Sequence, residues 1–151
     1  MKSVEYLNAQ SPRYLPARFG IVVTRAVADP APTVTLQMKV RRAHWSPRDF
    51  VHGGAIIVLA DTACGYGCLA SLPAGASGFF TIESKTSHIG AIQHGVLECT
   101  ARVLHAGRST QVWDAEITEI ESGKLIALFR CTQLLLYPQV APTNPSVENA
   151  A

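Results

Sequence analysis

Residues Gly53 to Leu72 read GGAIIVLADTACGYGCLASL. The run is too long for a strand and too apolar for a surface helix. Ala55, Ile56, Ile57, Val58, Leu59, Ala60, Ala63, Cys64, Leu69 and Ala70 cover all angles of a 3.6-residue period, which predicts a buried helix over about residues 53–71. Ala63, Gly65, Gly67 and Ala70 are small enough to let a sheet or a second helix approach closely. Asp61 is the one charged side chain between Gly53 and Ile82. A carboxylate in a buried helix is costly unless it is paired or hydrogen-bonded. No Lys or Arg lies three or four residues away to pair with it.

Outside this run the period changes to two. Val34, Leu36, Met38 and Val40 alternate with Thr33, Thr35, Gln37 and Lys39, as do Leu97, Cys99, Ala101 and Val103 with Glu98, Thr100 and Arg102. Trp113, Ala115 and Ile117 alternate with Asp114, Glu116 and Thr118. Phe19 to Val27 is a weaker strand, turned into the next one around Asp29-Pro30, and Phe79 to Ile89 is a further strand. Leu125 to Tyr137 is apolar on both parities, which predicts burial on both faces. Turns at Ala106-Gly107-Arg108 and Ser122-Gly123 link the last three strands as a meander. The fold class is therefore α+β: two strands, one buried helix, then four antiparallel strands, with the sheet wrapped around the helix.

The 151 residues suggest one domain over 1–137 with a short N-terminal arm, either a short helix or irregular. The stretch 138–151, with Pro138, Pro142 and Pro145, is expected to be a disordered tail. Charged residues are 16% and hydrophobic residues 48%, a balance that favours apolar surface buried between subunits. The net charge is +2 with basic residues scattered, which argues against nucleic acid as a partner. Met1 to Pro12 lacks the apolar segment of a signal peptide, and Ala55 to Ala70 is too short and interrupted for a membrane span. Cys64, Cys68, Cys99 and Cys131 form no CxxC and read as reduced core thiols of a cytoplasmic protein. The five histidines lack zinc spacing, so no metal is expected.

Two features carry chemistry. The first is Asp61, either a functional carboxylate or one satisfied by solvent or by a neighbour such as Thr62. The second is His52-Gly53-Gly54 at the helix start. The glycines either permit a tight entry turn or leave backbone N–H groups open at the positive end of the helix, where they can polarise a carbonyl. Residues 52 and 61 are about 13 Å apart along a helix and half a turn around it. Asp61 cannot easily reach a group held at the start of its own helix. If both act on one substrate, a second copy of the chain must supply one of them.

His52-Gly53-Gly54-Ala55 followed by Leu59-Ala60-Asp61-Thr62 resembles the hot-dog thioesterases of the phenylacetate-degradation (PaaI-like) type. The likeness runs from about Arg18 to Leu136 and includes Gly107-Arg108-Ser109, Ala115-Glu116-Ile117 and Gly123-Lys124-Leu125-Ile126-Ala127. It implies a hot-dog fold and hydrolysis of an acyl-CoA, with coenzyme A present only as part of the substrate. It implies a homo-oligomer, at least a dimer and in the fuller form a dimer of dimers. In such enzymes the N–H matching Gly53 polarises the thioester, assisted by the segment matching His52 and Gly54. The acid matching Asp61, from the partner, is general base or nucleophile. The position of Thr81 lies near that acid, and the turn matching Gly107, Arg108, Ser109 and Thr110 lies near the coenzyme A arm. Many members carry Asn or Gln where this chain has Ser46, which reaches less far. A hot-dog dehydratase and a non-catalytic acyl-CoA-binding module are the alternatives. Arg108, and the pair Arg41-Arg42, are either phosphate contacts or ordinary surface charge.

Overall fold

A computed structural model describes residues 1–138, so all but the first residue of the expected tail lies outside the described residues. Two short helices open the chain, α1 (Val4–Ala9) and α2 (Leu15–Phe19). Strands β1 (Ile21–Val27) and β2 (Thr33–Lys39) follow, then the long helix α3 (Gly53–Ala70). Four strands follow the helix: β3 (Gly78–His88), β4 (Val96–Ala106), β5 (Thr110–Glu119) and β6 (Leu125–Leu136). Phe19, expected in the first strand, closes α2 instead. Gly20 caps that helix at φ 66°, a left-handed conformation that favours glycine, so the strand starts two residues later than expected, at Ile21.

All six strands pair antiparallel in one sheet, in the order β1-β2-β4-β5-β6-β3. The sheet wraps α3, which packs on β2, β3, β4, β5 and β6. This is the hot-dog arrangement. The alternation in β4 and β5 is a true inside–outside pattern: Leu97, Cys99, Ala101, Trp113, Ala115 and Ile117 are buried. At the helix, Gly67 meets the ring of Trp113 so closely that any Cβ there would overlap it. The four cysteines are buried and free.

Two expectations need correction. β6 is not buried on both faces: Leu128, Arg130 and Leu134 stand on the outer side of the sheet and are exposed, because none of the described residues forms a layer over that side. The helix is likewise not buried all round. Ile57 is exposed, and Val58, Asp61, Thr62 and Leu69 are only half-buried, because the sheet encloses one side of α3 more fully than the other.

The two edges of the sheet differ. At β1, Asn8 from α1 donates to Val23 C=O (3.0 Å) and accepts from Val23 N–H (2.9 Å), as a neighbouring strand would. At β3 nothing in the described residues covers the outer edge, and most of its 11 residues are exposed.

Candidate active site

The hairpin before α3 sets its entry. Trp45 and Val51 form a bridge, and His52 N–H donates to His44 C=O (2.8 Å). His52 is the N-cap, its Nδ1 accepting from Gly54 N–H at 2.8 Å. With Nδ1 accepting, the ring proton sits on Nε2. Ala55 N–H donates to His52 C=O (2.9 Å). Gly53 is left as the donor of this first turn without a partner among the described residues, while the Gly54 N–H is occupied.

A Cβ on Gly53 would lie 3.1 Å from His88 Nε2. His88, one of the five histidines, therefore stands beside the open N–H. Its inward direction comes from a bulge between Thr81 and Glu83. Before the bulge, Phe79 and Thr81 point at the helix; after it the inward positions are 84, 86 and 88, whose cross-strand partners Cys131, Phe129 and Ala127 are buried. A bulge cannot be read from period-two alternation, so the inward turn of His88 leaves no signature in the sequence. Lys85 lies on the outer face instead, in a shallow cleft shared with Glu98, Arg102, Asp114 and Arg130.

Asp61 lies two and a half turns along α3, on its half-buried side. Thr81 Oγ1 on β3 lies 3.3 Å from Asp61 Oδ1, so the hydroxyl comes across from the sheet and not from Thr62. The same Thr81 Oγ1 is 3.0 Å from Gln133 Oε1 on β6, a side chain with no solvent exposure. Burial holds the Asp61 carboxyl above its ordinary value of 3.8, and the Thr81 hydrogen bond offsets part of that rise.

The sheet register sorts the remaining predicted residues. Gln111, Gln133 and Thr81 form one rung, and Thr110, Leu134 and Phe80 the next. The Gly107–Thr110 turn thus lies at the Asp61 end. Gly107 N–H donates to Thr110 C=O (2.9 Å), Ser109 C=O accepts from Leu135 N–H (2.9 Å), and Arg108 C=O accepts from the Tyr137 hydroxyl (2.6 Å). Those bonds fix the backbone and leave the Arg108 side chain outward and exposed. The His52–Gly53 end lies instead by the rung Ile117, Ala127 and His88. Within one chain, then, the structure joins Asp61 with Thr81, and Gly53 with His52 and His88, at opposite ends of β3. Ser46 sits in the entry hairpin, where its Oγ accepts from Arg48 N–H (3.4 Å), and none of its hydrogen bonds reaches either group. Arg41 is structural, donating to Arg18 C=O (2.6 Å), and Arg42 lies over the Trp45 ring at 5.3 Å. Among the described residues no cluster of His, Cys, Asp or Glu is arranged for a metal.

An open donor at the start of α3 and a half-buried carboxylate further along the same helix, each facing one end of β3, are the two parts of the candidate site. The profile of the thioesterase superfamily matches residues 49–126, a span that begins just before His52 and contains both parts. The 1,4-dihydroxy-2-naphthoyl-CoA hydrolase of Listeria monocytogenes is 35% identical over 97 residues, 64% of this chain and 77% of that protein. The acyl-coenzyme A thioesterase PaaI of Escherichia coli is 34% identical over 98 residues, 65% of this chain and 64% of that one. The crystal structure of a variant thioesterase from Pseudomonas aeruginosa superposes with a TM-score of 0.83 at 25% identity, covering 91% of this chain and 96% of that chain. The chain belongs to the thioesterase superfamily and is a thioester hydrolase.

Proposed function

We propose that the protein hydrolyses acyl-CoA thioesters in the cytoplasm at sites shared between two subunits, with Asp61 as the catalytic carboxylate. The observation that carries this is the placement of Asp61 and Gly53 against opposite ends of one open strand, β3. Two copies joined antiparallel through that edge, about a two-fold axis near Ser84 and Lys85, set Thr81 of one opposite His88 of the other. Asp61 then faces Gly53 of the partner subunit, which overcomes the separation along its own helix. A tetramer would add a second such pair.

In this site the thioester carbonyl accepts from the Gly53 N–H, at the positive end of α3, and the oxyanion that develops is stabilised there. Asp61 removes a proton from a water whose oxygen bonds to the carbonyl carbon. The C–S bond then breaks and the thiolate leaves with that proton. The alternative route has Asp61 attack the carbon itself, forming an anhydride that water opens. Both need Asp61 ionised. The Gly107–Thr110 turn, next to Thr81 in register, is placed to meet the coenzyme A arm, with Arg108 free to meet its phosphates. Ser46 is assigned the site of the water or thioester contact that Asn or Gln makes in many relatives.

Asp61→Asn keeps volume and removes charge. Thiol release from a panel of acyl-CoAs should fall by about 10²- to 10⁴-fold, the worth of a positioned base. A variant that keeps most of the rate would sink the assignment. Stability should move the other way. An acid whose folded pKa is raised bears its desolvation penalty above that pKa and sheds it as pH falls through it. Asp61→Asn should therefore melt at a higher temperature than wild type at neutral pH, and the gap should close on acidification. In wild type, the acid limb of kcat/KM should lie above the usual aspartate range.

A further inference from the structure

Thr81 has one hydroxyl proton and two acceptors within reach, Asp61 Oδ1 at 3.3 Å and Gln133 Oε1 at 3.0 Å. An ionised carboxylate is the stronger acceptor of the two. Once the proton goes to Asp61, Gln133 Oε1 and Thr81 Oγ1 would face each other lone pair to lone pair. On the other side of the same amide, Gln133 Nε2 lies 3.3 Å from Cys131 Sγ, a weak acceptor. Half a turn of the amide exchanges its oxygen and nitrogen at no change in shape and removes the conflict. The NH2 then donates to Thr81, and the oxygen accepts from the Cys131 thiol. Gln133 has no solvent exposure, so water cannot make up for a misdirected donor there.

We propose that Gln133 is a positioning residue for Asp61: its NH2 donates to Thr81 Oγ1 and so directs the single Thr81 hydroxyl proton at the Asp61 carboxylate. The inference rests on the catalytic role of Asp61 given above but has a readout of its own. It adds to the site a fully buried residue on β6, the strand paired with β3. The titratable groups nearest to it on the inner side are thiols. Cys64, on the same helix as Asp61, is held neutral by its hydrogen bond with Cys131 and by burial. His88 lies inward at the far end of β3. Glu83, Lys85 and Arg130 lie on the outer face, where Glu83 accepts from Thr132 and Arg130 pairs with Asp114.

The direction of donation is testable. In Gln133→Met, which keeps volume and loses both amide bonds, Thr81 is no longer held toward Asp61. The acid limb of kcat/KM should move to higher pH, and kcat/KM on the plateau should fall by about 2- to 10-fold, the worth of one neutral hydrogen bond. Thr81→Val should move the limb the same way, and the double variant no further than Thr81→Val alone. A limb that moves to lower pH would mean that Gln133 draws the Thr81 proton away from Asp61, and the proposal is wrong. An unmoved limb with lost rate or stability marks a packing role only, and equally overturns it. The carbon-13 titration of the Asp61 carboxyl reads the same shifts without turnover, so it separates this inference from the hydrolase reading. Should Gln133→Met fail to fold, the unaltered protein decides. Nuclear Overhauser contacts from the Gln133 NH2 protons must reach the Thr81 methyl group, and contacts to the Cys131 Cβ protons in their place refute the assignment.

Discussion

At the β1 edge of the sheet, a side chain imitates a strand: Asn8 supplies one donor and one acceptor to Val23, and α1 lies over the edge with Leu7 fully buried. At the β3 edge, 11 residues stand open, with Phe80 63% and Ile82 57% exposed. An open, long edge is a template for further pairing, and proteins normally blunt it. Among the described residues one edge is blunted and the other is left. The open edge is also the strand that carries Thr81 toward Asp61 and His88 toward Gly53. The difference teaches where the described fold closes and where it stays open: β1 is capped by α1, whereas β3 is the edge that the proposed shared site assigns to a second copy.

The sharpest way to break that comparison is to charge the open edge. Ile82→Asp puts a carboxylate where a second copy must dock, and each copy brings its own. The variant should fold with the circular dichroism of wild type and sediment as a monomer. Its thioesterase rate should fall by at least 10²-fold, because neither half-site retains its partner. An active monomer would show that the edge is incidental.

A second test leaves the edge intact and divides the site. Asp61→Asn and Gly53→Pro, which lacks the N–H, should each be nearly inactive. The new proline carbons would press on His88, so folding and size of that variant are checked first. Unfolded and refolded together in equal amounts, half of the dimers are mixed and each holds one intact site of two. About one quarter of wild-type activity should return. Verified mixed dimers without recovery would mean that the groups act within one chain or not together.

Much of this was legible in the residues. The apolar run set α3 to within a residue at each end, and period-two alternation located β2, β4, β5 and their meander. Asp61 stood out as the lone charge of the run, and its distance along the helix from His52 was readable from the spacing alone. What escaped reading depends on contacts between residues far apart in sequence. Gln133 looks like one polar residue in an apolar strand; its meaning comes from Thr81, 52 positions away. His88 turns inward because of a bulge, which shifts parity without leaving a local signature. Asn8 sits in an arm with no readable period, and its partner lies 15 residues on. β6 read as buried on both faces because leucine marks a strand's need for cover without saying which molecule provides it.

The smallest expected effect belongs to the closed edge. Asn8→Ala removes both bonds to Val23 and leaves a peptide N–H and C=O at a residue that is 2% exposed. An unsatisfied buried group costs about 1–3 kcal/mol, and Asn8 itself is only partly buried, so water reaching the gap should hold the loss near the lower end. Chemical unfolding should show that loss as a lower midpoint with an unchanged slope. Sedimentation and turnover per folded molecule should stay at the wild-type value, because β1 lies at the opposite edge of the sheet from β3. Ile82→Asp should give the reverse pattern, association and activity lost with the unfolding free energy of the single chain retained. If Asn8→Ala instead creates new, larger assemblies, the β1 edge was a suppressed docking strand, and Asn8 acts to keep the sheet growing in one direction only.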